Sequence, residues 1–453
     1  MLQRLTLPHI LLILLLLAYG IVGALFAIYT PAWQAPDEPA HYNYIAQLAQ
    51  NGCCPVIEAG DWDSAYLETL KANRFAPDLL ANLSAVQYED HQPPLYYLLG
   101  ALIYGVTDGS LTALRLYSVA LGAGIVLAAY AVSMTLLPGK APVALGAAAL
   151  VAFLPQHLAI LASVNNDALG NLIIAVTLLA ALHYLQGQRV RPWQLGLLVG
   201  VGLLTKVSTL FMVGVVGVAI LLRLWPGRAS LVQWLRAVVR DGLAFALPAL
   251  LLGGLWWARS ISVYGFPDIF GLRQHDLVVA DQARTADLIA QVGFGQYLSS
   301  AVQTTFNSFW GQFGWMGVPM PGWVYTLIIG LLLLCLSGYV VGRLGHGAAV
   351  SLQGDARKMG LLLALMLLLA VLAYLYYNTV FLQLQGRYMF TGLIPFALLL
   401  ACGFDGWVST VRARLPIAGR FAIAAYVTAL PFAAFALLDV YLLWRVIVPA
   451  LQP

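Results

Sequence analysis

Where the first long apolar run ends, the chain reads Pro36-Asp37-Glu38-Pro39-Ala40-His41, two adjacent carboxylates and an imidazole in a sequence with only 9% charged residues. A carboxylate at such a boundary can deprotonate an acceptor hydroxyl or amine, while cations held apart from it steady an anionic leaving group such as a phosphate. Asp37 and Glu38 are the candidate bases, with His41 beside them. Further polar groups recur downstream: Glu89, His91 and Gln92 ahead of Pro93-Pro94, Asn166 and Asp167 at the start of a helix, Lys206 at a bend, and Gln385, Arg387 and Tyr388 opening a late apolar run. Lys206 and Arg387 form the candidate phosphate clamp, since a cation near membrane depth is costly without a partner and a lipid phosphate would supply one. Taken singly, each group also has a structural account: Asn166 and Asp167 suit a helix cap, and Arg387 could snorkel to headgroups.

The elements that must position these groups follow from composition. The chain has 453 residues, 61% of them hydrophobic, and a mean hydropathy of +0.84. Several apolar runs reach about 20 residues, the length needed to cross roughly 30 Å of hydrocarbon. Backbone polar groups in lipid must be satisfied internally, so the runs are helices and the chain reads as one all-α polytopic membrane domain over residues 1–453. The net charge of +4 comes mostly from Lys and Arg between helices; it reports topology and gives no sign of nucleic-acid binding. The start, Arg4 followed by Leu7 to Tyr29, reads as an uncleaved signal anchor.

Orientation comes from the cations. Arg189 and Arg191, then Arg223, Arg228, Arg236 and Arg240, then Arg343, Arg357 and Lys358, and finally Arg412, Arg414 and Arg420 cluster in short loops assigned to the cytoplasm. Parity then predicts about eleven crossings and two large external loops, Thr30–Ser110 and Tyr264–Pro321. In this count Pro192–Leu224 crosses twice around an external Thr205-Lys206, and Pro93–Val106, about 21 Å long as a helix, lies at the outer interface instead of crossing. Every candidate polar group falls on that outer side.

The ordered segments PDEPAHYNYIAQLA, EDHQPPLYYLL, LASVNNDAL, GLLTKVS and QGRYMF resemble the polyprenyl-phosphate-dependent membrane glycosyltransferases of the GT-C fold, in particular the protein mannosyltransferase and aminoarabinose transferase group. The resemblance implies an inverting transfer of a sugar from a polyprenyl-phosphate donor to a glycan, lipid or protein acceptor at the outer face of a membrane, such as the bacterial inner membrane. It implies that Asp37 is the base with Glu38 beside it, that the Pro-Pro segment is interfacial, and that Asp167, Lys206 and Arg387 match family site residues. The position before Pro-Pro, often basic or His in the family, is Gln92 here, with His91 one residue earlier. Because the implied donor carries no nucleotide diphosphate, no metal or other cofactor is required.

Other signals carry less. Asp61-Trp62-Asp63 has the form of a metal-holding DxD but reads as an ordinary loop, and His157 reads as a packing residue. The stretch Phe306 to Trp315 suits either sugar stacking or an interfacial belt. Arg273 to Asp287 alternates charge and reads as a solvated, mobile lid. The alternative function, a transporter or flippase, fits a polytopic bundle in general. Transporter sites, however, sit near midplane in broken, repeated helices, whereas these ionisable groups gather at helix ends and no repeat is visible.

Overall fold

The computed structural model describes residues 6–225, 230–346, 353–414 and 422–453; Arg4, Arg228 and Arg420 lie outside them. Within the described residues the protein is almost wholly helical, with a single two-residue hairpin pairing Gln312–Phe313 (β1) with Val318–Pro319 (β2). In chain order the helices are α1 Leu7–Tyr29, α2 Glu38–Asn51, α3 Ser64–Ala72, α4 Leu95–Val106, α5 Leu111–Leu136, α6 Ala141–Phe153, α7 Pro155–Leu161, α8 Asp167–Leu185, α9 Pro192–Leu203 and α10 Phe211–Leu224. There follow α11 Leu231–Tyr264, α12 Leu272–Val278, α13 Thr285–Val292, α14 Phe294–Trp310, α15 Gly322–His346, α16 Asp355–Tyr377 and α17 Leu393–Arg414. A final apolar stretch, α18, covers Ile423–Leu451.

Nine helices among the described residues are long and apolar enough to cross a membrane, and ten if α6 and α7 count as one broken span. The expected eleven is thus not reached by length: α9, expected to cross, has 12 residues and covers only about 18 Å. The pair α6 and α7 is bent by 61° at Leu154-Pro155. Pro155 cannot donate to the carbonyl of Val151 four residues back. His157 Nδ1 takes that carbonyl instead at 2.7 Å, so the packing role read for His157 includes mending the break.

The core gathers around α6, whose residues are all buried except Pro142; its small side chains let α5, α17 and α18 close around it. Glycines set the closest approaches. A Cβ on Gly403 of α17 would stand 2.2 Å from the Cys335 carbonyl oxygen of α15, and one on Gly338 1.9 Å from that of Gly403.

The segment between α1 and α5 folds into a cap with its own small core, in which Ile57, Leu67, Leu70, Phe75 and Tyr88 meet Val279 of the later segment. Trp315 donates its indole N–H to the Trp33 carbonyl at 3.0 Å and locks the two together. The later segment, read as a solvated lid, is exposed over much of its length, with no buried residue in α12. It forms α12 and α13, and Leu382 N–H donates to the Ala283 carbonyl at 2.9 Å beside an Arg284–Phe381 bridge. Within the aromatic stretch Phe306 to Trp315, Phe309 packs edge-on to Phe390 and Phe396 and Trp310 is buried against Phe435, so these two rings serve the core and neither end expected. In the Asp61-Trp62-Asp63 loop, Asp63 caps α3 by accepting from Tyr66 N–H, as an ordinary loop residue would.

Candidate active site

Asp37 immediately precedes α2 in a left-handed backbone conformation, φ 67°, a state that Asp tolerates better than most residues and one that tends to mark functional positions. This turn aims successive side chains apart. Asp37 Oδ2 accepts from Arg387 Nη2 at 2.6 Å, and Oδ1 from the Tyr88 hydroxyl at 2.9 Å. Glu38 points into the bundle and is fully buried. Its Oε1 accepts from Arg115 Nε at 2.8 Å and Val164 N–H at 3.1 Å, its Oε2 from Arg115 Nη2 at 2.6 Å and Trp33 N–H at 3.1 Å. Those four bonds fill the four lone-pair positions of a carboxylate, so Glu38 has none left for a reacting group. Its geometry is that of a strut joining α2, α5 and the turn before α8.

The two buried arginines differ in the same way. Arg115 uses all five N–H donors: besides Glu38, its Nη1 reaches the Ala27 and Thr30 carbonyls at 3.2 and 2.7 Å, and its Nη2 that of Pro31 at 3.2 Å. Arg387 makes its Asp37 bond through Nη2, while Nε and Nη1 are buried with no partner. Arg387 enters from a 3₁₀ turn, Gly386–Gly392, ahead of α17. A Cβ on Gly386 would strike the Phe309 backbone nitrogen at 2.5 Å, so only glycine lets the turn sit so close to α14.

Opposite stands a second ion pair. Asp167, the first residue of α8, accepts from Lys206 Nζ at 2.7 Å, both side chains about one-fifth exposed. Between the pairs lies His41, whose Nδ1 meets the Tyr97 hydroxyl at 2.8 Å. Asn166 Nδ2 in turn donates to that hydroxyl at 3.1 Å. This network makes Tyr97 the donor to Nδ1 and leaves the proton on Nε2. The charges of Glu89, Asp37, Lys206 and Asp167 all act on the His41 ring, so the residues from four separated segments share one field. Burial holds His41 below its ordinary pKa despite Glu89 and Asp37. Burial alone would raise the Asp37 carboxyl, but Arg387 and then His41 outweigh it and hold it below the usual carboxylate range.

Asp37, His41 and Glu89 also bring one ligand atom each within 4.8 Å of one another, an arrangement able to hold a divalent ion. Arg387 already supplies positive charge to Asp37 in that position. Tyr388 lies under the Arg387 guanidinium, 5.4 Å from ring centroid to the carbon, and Gln385 folds back on Gln383 with its Oε1 buried and unpartnered. Gln92 Oε1 lies 3.4 Å from Asn166 Nδ2, and its carbonyl accepts from Tyr44. His91 stands apart from the group: its ring contacts His275 of α12, 4.6 Å between centroids, and burial followed by His275 lowers its pKa to about 3. Arg115, Tyr88 and Tyr97 complete the arrangement and were not among the candidates. Arg115 had a legible signal, as a lone cation one turn into an apolar helix; the two tyrosines had none.

The family model described as predicted membrane protein (DUF2142) matches residues 75–400, which include Glu89 to Arg387 but not the Asp37 motif. Among solved structures, the chain is similar to ArnT from Cupriavidus metallidurans bound to undecaprenyl phosphate, at 13% identity and TM-score 0.50 over 97% of this chain and 73% of that one. The same protein in the apo state matches at 14% identity and TM-score 0.53 with the same coverage. An Archaeoglobus fulgidus oligosaccharyltransferase in complex with zinc and sulfate matches at 12% identity and TM-score 0.45, over 93% of this chain and 53% of that one. No curated protein sequence matches. The likeness to ArnT shows a shared GT-C fold, as the sequence motifs implied.

Proposed function

The chain belongs to the DUF2142 family of predicted membrane proteins, and from that starting point we propose that it is a membrane glycosyltransferase that moves a sugar from a polyprenyl-phosphate donor to an acceptor at the outer face of the membrane. The observation that carries this reading is the contrast between the two buried arginines. Arg115 has every N–H bonded, whereas Arg387 grips the base with one nitrogen and holds Nε and Nη1 without partners. Leaving buried guanidinium donors unmet is costly, and a phosphate oxygen is the acceptor that fits them best. The class of lipid carrier comes from a neighbour of the same fold, which holds undecaprenyl phosphate.

In the proposed reaction Asp37 takes the proton of the acceptor hydroxyl or amine as that atom bonds to the anomeric carbon. The bond from that carbon to the phosphate oxygen breaks on the opposite side, which inverts the centre. The electron pair leaves on the polyprenyl phosphate, whose charge Arg387 and Lys206 receive. Glu38 is assigned a positioning role through Arg115, and His41, Asn166 and Tyr97 orient the acceptor side. With two side-chain cations at the phosphate, the reaction needs no metal. Activity retained in a chelator is therefore expected, and loss restored by a divalent ion would instead assign one to Asp37, His41 and Glu89.

The direct test is to incubate the purified protein with a panel of polyprenyl-phosphate sugars and measure released polyprenyl phosphate, with Asp37→Asn as control. Release from at least one donor that Asp37→Asn abolishes is expected. Release from none, or equal release by the variant, would overturn the reading.

A further inference from the structure

From the end of the bundle away from Asp37, a cavity of about 850 Å³ opens between α15 and α16 and runs along α17 as far as Pro395. Its position follows from chain direction. α5 carries Arg115 near its start and reaches the cavity with Leu136 at its end; α17 begins just past Arg387 and reaches it with Asp405 and Ser409. The volume is near the top of the roughly 300–1,000 Å³ range of small-molecule sites. α15 and α16, consecutive in the chain, scarcely pack on each other: α15 lies along α17, and α16 against the Gly386–Gly392 turn and α10. The gap between them opens sideways, where lipid would lie.

The lining is divided. Leu363, Leu367, Pro395 and Leu398 form an apolar wall, and Lys140, Arg343, Asp405 and Ser409 gather at the other end. The Asp405 carboxylate is already met, by Lys140 Nζ at 3.0 Å and by the Thr428 hydroxyl at 3.0 Å. Arg343 makes no ion pair among the described residues. The polar end therefore carries a surplus positive charge. An apolar slot with a cationic lip at a membrane surface matches an amphiphile with an anionic head.

We propose that this cleft binds an anionic glycerophospholipid, its headgroup on Arg343 and its acyl chains along α17, as a site separate from the one holding the donor. The bound lipid wedges α15 from α16 and completes a wall that the helices do not close themselves.

The test is lipid retention by the full-length protein in detergent, read by native mass spectrometry after addition of phosphatidylglycerol or phosphatidylcholine at equal concentration. Phosphatidylglycerol should be retained about fivefold better, the effect of one surface cation on an anionic lipid. Arg343→Gln, an exposed position, should bring the two lipids level. Ala364→Trp, which fills the slot from α16, should reduce retention of both to background while the protein stays monodisperse. Equal retention of the two lipids by the unaltered protein, or undiminished retention by Ala364→Trp, would overturn the proposal. Displacement of phosphatidylglycerol by stoichiometric polyprenyl phosphate would overturn it too, assigning the cleft to the donor.

Discussion

The Glu38 carboxylate has four bonds and Asp37 two, and on this difference rests the proposal of Glu38 as strut and Asp37 as base. Glu38→Gln leaves Arg115 charged and buried without its counter-ion, a change that costs about 3–5 kcal/mol when one partner of a buried pair is removed. A large fall in thermal unfolding temperature is expected. Asp37→Asn keeps a residue tolerant of the left-handed backbone but likewise takes the counter-ion from buried Arg387, so it too should lose stability; its distinguishing effect is a loss of about 10²–10⁴-fold in turnover by the folded protein, and full turnover by the folded variant would remove Asp37 from the role of base. Charge state gives a second expectation. The Asp37 carboxyl is held below the ordinary range, so the proposed base stays ionised and activity should hold as pH falls to about 4, the unperturbed carboxylate value. Asp90 behaves oppositely. Burial raises its pKa to about 8 against the bond from Gln47, and its Oδ1 has no partner. A raised folded-state pKa means stability present below the unfolded value and lost as pH rises through about 8. Unfolding temperature should therefore fall from about pH 4, the unfolded carboxylate value, to about pH 8 and level off above it, and Asp90→Asn should flatten the fall. A variant with the same slope as the parent would remove Asp90 from that account.

Helix contacts here are built on absent side chains. Gly338 and Gly342 on α15 face Gly403 and Gly406 on α17, with hypothetical Cβ distances to backbone of 1.9 to 3.3 Å. In lipid no hydrophobic gain drives helices together, so this close backbone contact is what holds the pair. Gly403→Val should separate α15 from α17 at a cost of about 1–3 kcal/mol, the usual range for overpacking, seen as a lower unfolding temperature in detergent. The same change at Gly254, where nothing lies within 4 Å, should be much milder; equal effects at the two sites would show that the contact adds nothing. Element breaks matter as much as contacts. The α6–α7 bend and the turns at Asp37, Lys206 and Gly386 all bring polar side chains to one end of the bundle.

At the scale of the whole molecule, the site depends on segments far apart in sequence, with 350 residues between the partners of the Asp37–Arg387 bond. That site is proposed to face outward and the Arg357 end of α16 inward. Labelling with a membrane-impermeant thiol reagent checks this. A cysteine at Glu68, exposed on α3, should label in intact cells, and one at Arg357 only after permeabilisation. The opposite result would invert the topology and with it the side on which transfer takes place.

Residue order by itself determined the helical membrane class, the anionic and cationic groups that converge, and a GT-C-like arrangement, because hydropathy and short motifs are local properties. It could not separate Asp37 from Glu38, since adjacent residues diverge only when a particular φ is adopted and particular partners arrive. Nor could it find Tyr88 and Tyr97, which are indistinguishable in sequence from the chain's other tyrosines until packing brings their hydroxyls to Asp37 and His41. The number of spans, the grouping of His91 with α12 and the aromatic cluster of α14 were likewise decided by tertiary structure. Each depends on which faces meet across the bundle, and one helix's periodicity does not encode its neighbour.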